Sequence, residues 1–151
     1  MRISAKCSVA IHCLLLISEY GGRLKITSAL AAESTGVNPA EIRALMNLMK
    51  KAGLIDVKRG VGGAYLMRST EEITVWDIYQ AVDPYGLEKI MGIHPNPSDT
   101  CPIGKRIERV LEPSYTKIEE SVMLSMQQLR LSDFVETFRE MRRKEREERR
   151  T

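Results

Sequence analysis

The 151-residue chain is 43% hydrophobic and 28% charged, with only 5% aromatic residues and a formal net charge of +3. That is the composition of one ordinary globular domain, with or without an appended element, and its poverty in aromatics favours helices over a β-sandwich. No apolar run is long enough to span a bilayer, and "CLLLI" near the N-terminus is too short, and lacks the cleavage site, for a secretory leader, so a cytoplasmic chain is expected.

Residues 4 to 20 read as a mostly buried helix, apolar nearly all round (Val9, Ala10, Ile11, Leu14, Leu15, Ile17) and stopped by Gly21-Gly22. A shorter helix fits 28–35, capped by Thr27 or Ser28 and ended by Gly36. In "VNPAEIRALMNLMKKAG", Asn38 suits an N-cap and Pro39 the first helical position, and Glu41 completes an Asn-x-x-Glu capping box. Ile42, Leu45, Met46 and Met49 recur at helical spacing as its buried face, and Ala40, Arg43, Ala44, Asn47 and Lys50 form the other side. "LIDVK" and "AYLMR", around the glycine-rich "RGVGG", read as two short strands of a ribbon. "ITVWDIYQAVD" is a short helix with Thr74 as cap and Asp77 three residues on, and 84–100 is a proline-rich, acidic connection. From Cys101 a stripe of Ile103, Ile107, Leu111, Tyr115, Ile118, Val122, Met126 and Leu129 predicts a long helix whose apolar face is expected to be a dimer interface. At 1.5 Å per residue it would be about 40 Å long, and Pro113 should kink or split it. Ser132 is the expected cap of a last helix that frays into "RRKEREERR".

Charge is unevenly distributed. Residues 1–70 hold ten Lys/Arg and four Asp/Glu (+6), residues 71–138 six and twelve (−6), and residues 139–151 seven and four (+3). A basic N-terminal half suggests a nucleic-acid face, and an acidic middle suggests a separate partner face. Two helices joined by a short turn, then a ribbon, spell a winged helix-turn-helix, so a mainly α fold with a small β-wing is expected. The second helix of the pair must bury one face and offer the other to a major groove. Arg43 and Asn47 are the residue types that read guanine O6/N7 and adenine N6/N7. Ala40 and Ala44 allow close approach, and Lys50, Lys51, Lys58 and Arg59 can neutralise phosphates. Gly60, Gly62 and Gly63 make either a narrow wing tip that enters a minor groove or a turn that simply needs positive φ. Arg2, Lys6, Ser28 and Asn38 complete the candidate DNA contacts.

"IRALMNLMKKAGLIDVKRGVGGAYLMRSTEEITVWDIYQAV" resembles the signature of the Rrf-two family of bacterial transcription regulators, which includes the IscR, NsrR and CymR regulators. Leu45, Leu48, Lys51, Ala52, Gly53, Leu54, Ile55, Arg59, Gly60, Gly62, Gly63 and Tyr65 carry the resemblance, which extends over essentially the whole chain. It implies a homodimer whose long C-terminal helices cross, with paired winged domains on a palindromic operator, usually as a repressor. "EIRA", at Glu41 to Ala44, departs from the Tyr-Leu-Glu-Gln often found there. Arg43 thus stands where a glutamate reader is common, and a different base preference is expected. "NPAEIR" and "HPNPSDTCPIGKRI" look most like the YwnA-like branch.

Iron–sulfur members of that family carry three closely spaced cysteines ahead of the dimer helix, where this chain has Cys101 alone. Cys7 and Cys13 are six residues apart on one helix, about 9 Å and roughly opposite faces, and cannot share a metal. An iron–sulfur cluster is therefore disfavoured and no cofactor is expected. Zinc on His94, Cys101 and Asp99 would lack a nameable fourth ligand. Cys101 is either a helix cap beside Pro102 or, near a helix N-terminus and Lys105, a thiol of lowered pKa that senses oxidants. No Gly-rich phosphate loop, HExxH or nucleophile with a base points to an enzyme. The expected organisation is a DNA-binding domain over 1–83, a linker over 84–100, and a helical dimerisation region with a charged tail over 101–151. The alternative is a winged-helix module that binds proteins and not DNA.

Overall fold

A computed structural model describes residues 4–60, 62–83 and 90–150. Arg2 and residues 84–89 of the expected linker lie outside the described residues. In chain order the elements are α1 (Lys6–Tyr20), α2 (Ser28–Thr35), α3 (Pro39–Lys51), β1 (Ile55–Lys58), β2 (Gly63–Leu66), α4 (Val75–Val82), α5 (Ile107–Gln128) and α6 (Leu131–Glu148). The helix-rich order with one two-stranded sheet is the winged helix-turn-helix expected of the sequence.

Local chemistry sets most of these boundaries. Thr27 Oγ1 accepts from the Leu30 amide at 3.2 Å, and Gly36 ends α2 at φ 70°. Asn38 caps α3, but its Oδ1 accepts from the Ala40 amide at 2.8 Å rather than closing the box expected with Glu41. At the other end, Gly53 at φ 74° donates to the Lys50 carbonyl and Leu54 to that of Met49, each at 3.0 Å. Met49 and Leu54 are both buried there, so the helix stop and the core are one structure. The Thr74–Asp77 capping box of α4 is present, with bonds of 3.0 and 3.1 Å.

The central helix is α1, packed against α2, α3, α4, α6 and β2. Its Leu14 shares one core with Ile42, Met49, Ile55 and Ile78, each at most 1% exposed. The ribbon is antiparallel, with Ile55 opposite Leu66, Asp56 opposite Tyr65 and Lys58 opposite Gly63. It is fastened to the chain before α2 by the Ala64 amide, which donates to the Ile26 carbonyl at 3.0 Å.

The C-terminal part departs from the expectation in three places. The helix begins at Ile107 rather than Cys101, because residues 98–106 fold into a tight loop ending in a 3-10 turn over Gly104–Arg106. A side chain at Gly104 would put its Cβ 2.5 Å from the Ser98 carbonyl oxygen, so that loop depends on the glycine. Next, Pro113 does not split α5, which runs through it as one helix. The amide that proline lacks would have met the Arg109 carbonyl, and Arg109 is exposed, so water can serve it. Finally, α6 starts at Leu131, where Asp133 accepts from the Arg130 amide at 2.8 Å, and Ser132 is inside the helix rather than its cap.

A long-range stitch explains that last boundary. The Val75 amide donates to Leu129 at 2.8 Å, Leu131 to Ile73 at 2.9 Å and Ser132 to Thr70 at 3.0 Å. Arg130 forms a β-bridge with Thr74 and donates through its guanidinium to the Glu71 carbonyl. Leu131 and Val135 of α6 are buried and Phe134 packs beside them. No residue of α5 is buried, and only Val122, Met123 and Met126 near its C-terminal end pack on the core.

Candidate nucleic-acid interface

Burying Ile42, Leu45, Met46 and Met49 turns the opposite face of α3 outward. Ala40, Arg43, Ala44, Asn47 and Lys51 are all exposed there, at spacings that keep them on one side of a helix. Lys6, exposed in the first turn of α1, shares a shallow apolar groove with Glu41, Ala44 and Leu48, so the start of α1 borders this face. Ser28 is half-buried as the first residue of α2. Asn38 is exposed, with its carboxamide oxygen committed to the cap.

The wing glycines divide by role. Gly60 has φ 84° and Gly63 φ 67°, so the turn does need a left-handed backbone at both. Gly63 is buried at the turn end of the ribbon, opposite Lys58, where a Cβ would lie 2.7 Å from the Ile26 amide nitrogen. At Gly62 a Cβ would lie 2.5 Å from the Cβ of Lys58, so this glycine makes room for the lysine stem.

Strand alternation puts Asp56, Lys58 and Tyr65 on the outward face of the ribbon. Lys58 holds its Nζ 5.3 Å from the centre of the Tyr65 ring. Lys50 reaches over from α3 to Asp56, with Nζ 3.4 Å from Oδ1. The same Oδ1 accepts from the Val57 amide at 2.8 Å. That amide, then Lys50, hold the Asp56 carboxyl below its usual pKa. Arg59 and Gly60 are exposed at the turn. Asp56 and Tyr65 escaped the sequence-based selection of site residues. The strand register could have shown them on the face of Lys58, although the link from Asp56 to Lys50 is long-range.

The apolar stripe along α5 and its flanks divides too. Ile103, Ile118 and Leu129 are 71%, 40% and 48% exposed. Ile107, Leu111 and Tyr115 are half-buried, while Val122 and Met126 turn onto the chain's own core. Val110 and Leu124, outside that stripe, are 63% and 53% exposed.

The three thiols sit in unlike places. Cys7 and Cys13 are buried and Cys101 is exposed. Burial pushes Cys13 up to about 11, and burial followed by the charge of Asp83 raises Cys7. The backbone amides of Gly104 and then Ile103 lower Cys101. They do so in place of the Lys105 charge invoked from the sequence. His12, in the middle of α1, is exposed and hydrogen-bonded to Ser34 Oγ through Nε2 at 2.9 Å.

An outward helix bearing Arg43 and Asn47, beside a glycine-turned basic ribbon, defines the DNA-binding winged-helix class. The match to known proteins narrows it. Residues 3–137 match the family model Rrf2, described as an iron-dependent transcriptional regulator, and the chain belongs to that family. YwnA of Bacillus subtilis (strain 168), named as an HTH-type transcriptional regulator, is 32% identical over 120 residues, 80% of this chain and 86% of that protein. The transcriptional regulator IscR of Cereibacter sphaeroides is 26% identical over 139 residues, 89% of this chain and 87% of that one. Among solved structures, the global cysteine regulator CymR of B. subtilis superposes with a TM-score of 0.65 at 18% identity, over 91% of this chain and 98% of that one, and shares the fold. The family is one of transcriptional regulators rather than enzymes. Among the described residues, no helix is long and apolar enough to cross a membrane.

Proposed function

We propose that the chain is a homodimeric repressor that binds a palindromic operator through α3 and the wing. The observation that carries this reading is the outward face of α3, with Arg43 and Asn47 exposed and bordered by the ribbon. Each protomer would place that face in a major groove, with Arg43 and Asn47 reading base edges and Lys6, Lys51, Lys58 and Arg59 meeting phosphates. The open side chains of Ile103, Val110, Ile118 and Leu129 support a second copy as the cover of α5, because a monomer leaves them in water.

The donor set does not suit an iron–sulfur cluster. Two of the three thiols are buried in α1 and the third stands alone before α5. Among the described residues, no group of three or more His, Cys, Asp or Glu side chains converges as metal ligands. We therefore read the regulator as working without a cluster, with Cys101 as a thiol sensor. Its thiolate would attack hydrogen peroxide, forming the S–O bond as the O–O bond breaks, to leave a sulfenic acid and a hydroxide that takes a proton from solvent to become water.

The test is a titration of reduced, then peroxide-treated, protein on the DNA upstream of its own gene and on scrambled DNA. The reading expects tight, salt-sensitive, sequence-selective binding that oxidation weakens and Cys101→Ser makes insensitive to oxidation. Absence of salt-dependent affinity would favour the protein-binding module instead. Binding that ignores peroxide would retain the repressor and return Cys101 to the loop before α5.

A further inference from the structure

We infer that Asp56 is a built-in brake on DNA affinity: it neutralises Lys50, so that of the two lysines flanking the helix–wing angle only Lys58 acts as a free phosphate cation. This rests on α3 and the wing meeting DNA. Lys50 is the lysine of α3 that leans toward the ribbon, and its ammonium is 3.4 Å from the Asp56 carboxylate. The carboxylate does not drift, because the oxygen that faces Lys50 also accepts from the Val57 amide at 2.8 Å. Asp56 shares the outward ribbon face with Lys58 and Tyr65, so its negative charge points at the same surface as the proposed phosphate contacts.

The two lysines are held by unlike partners, and that difference is the argument. A carboxylate cancels the charge it holds. An aromatic face orients a cation and leaves its charge intact. Lys58, over the Tyr65 ring and with its stem running past Gly62, keeps a full positive charge for a phosphate. Lys50 must give up Asp56 before it can offer the same, and the carboxylate left behind would repel the backbone. Binding through phosphates costs about 0.9 in the slope of log K against log salt for each one neutralised. A chain that cancels one of its own cations binds every sequence more weakly and responds less steeply to salt.

The experiment compares wild type, Asp56→Asn, Lys50→Gln, Lys58→Gln and the Asp56→Asn/Lys50→Gln double variant on one operator fragment and one scrambled fragment, from 50 to 300 mM salt. Asp56→Asn should tighten both fragments about two- to five-fold, the range spanned by exposed ion pairs, and steepen the slope by about one. Lys58→Gln should flatten the slope by about one, and Lys50→Gln should change it far less. The double variant should lose the gain of Asp56→Asn. Weaker binding by Asp56→Asn would overturn the inference and make the carboxylate a positioning group for Lys50. Unchanged binding, or a gain that survives in the double variant, would overturn it as well. A wild type that shows no salt-dependent DNA affinity would overturn the DNA-binding reading too, whereas the preceding outcomes leave that reading standing.

Discussion

The N-terminal helices and α5 obey different packing rules. In α3, four of thirteen residues are buried, and the helix is sealed at one end by Asn38 and at the other by the Met49–Leu54 pair. In α5, none of twenty-two is buried, although Val110, Ile118 and Leu124 are large and apolar. The first helix is finished within one chain. The second leaves Val110, Ile118 and Leu124 in water in a single chain, and the proposed second copy would cover them.

The comparison breaks most visibly if the cost of truncation fails to follow burial. Ile42→Ala should lower unfolding free energy by about 2–5 kcal/mol in a urea titration, with the transition still cooperative. Ile118→Glu combined with Val110→Glu should leave the helical content of the N-terminal domain intact and turn the dimer to monomer in sedimentation velocity. If the double variant unfolded instead, α5 would belong to the monomer's core.

Arg43→Ala should cost about 1–3 kcal/mol of discrimination between operator and scrambled DNA, measured by competition binding, with weak binding to the scrambled fragment nearly unchanged. Equal loss on both fragments would make Arg43 a phosphate contact. Thr74→Ala should cost about 1 kcal/mol of stability by removing the cap of α4. A much larger loss would mean that the hydrogen-bonded seam to Leu129 and Leu131 fails with the cap.

The smallest expected effect concerns thiols. Native protein should label at one cysteine and unfolded protein at three, read by intact mass, since Cys7 and Cys13 are buried. The amides beside Cys101 lower its pKa, so its thiolate should persist to lower pH than that of an unfolded-chain cysteine, and the labelling rate should fall off at correspondingly lower pH. Identical pH profiles in native and unfolded protein would remove the chemical basis of the sensor.

How much of this was readable in advance depended on the range of the forces involved. The Thr74 box, the Gly36 stop and the buried face of α3 follow from spacing within a few residues, and the structure has them where the sequence puts them. The start of α5 does not, because Gly104 is needed for its approach to Ser98 and the periodicity beginning at Ile103 carries no trace of that contact. Ser132 looked like a cap because it is the right residue type, yet the helix start is fixed by Ile73 and Thr70, some sixty residues upstream. Arg43 and Asn47 were legible as an exposed pair. Asp56 was not, since a lone acid in a basic stretch gains meaning only from the lysine it faces.

The seam joining residues 70–75 to 129–132 has a mechanical consequence. It clamps one end of a rod. Beyond its last few turns α5 packs no buried residue on the chain's own core, so within one chain its position is set from the clamped end. Twenty-two residues at 1.5 Å each make an arm of about 33 Å, and a tilt of roughly 5° at the clamp moves the far end by about 3 Å. Cys101 lies just beyond that far end. On the sensor reading proposed above, oxidation there would act at the long end of the arm, and a tilt of that size would be the motion to look for.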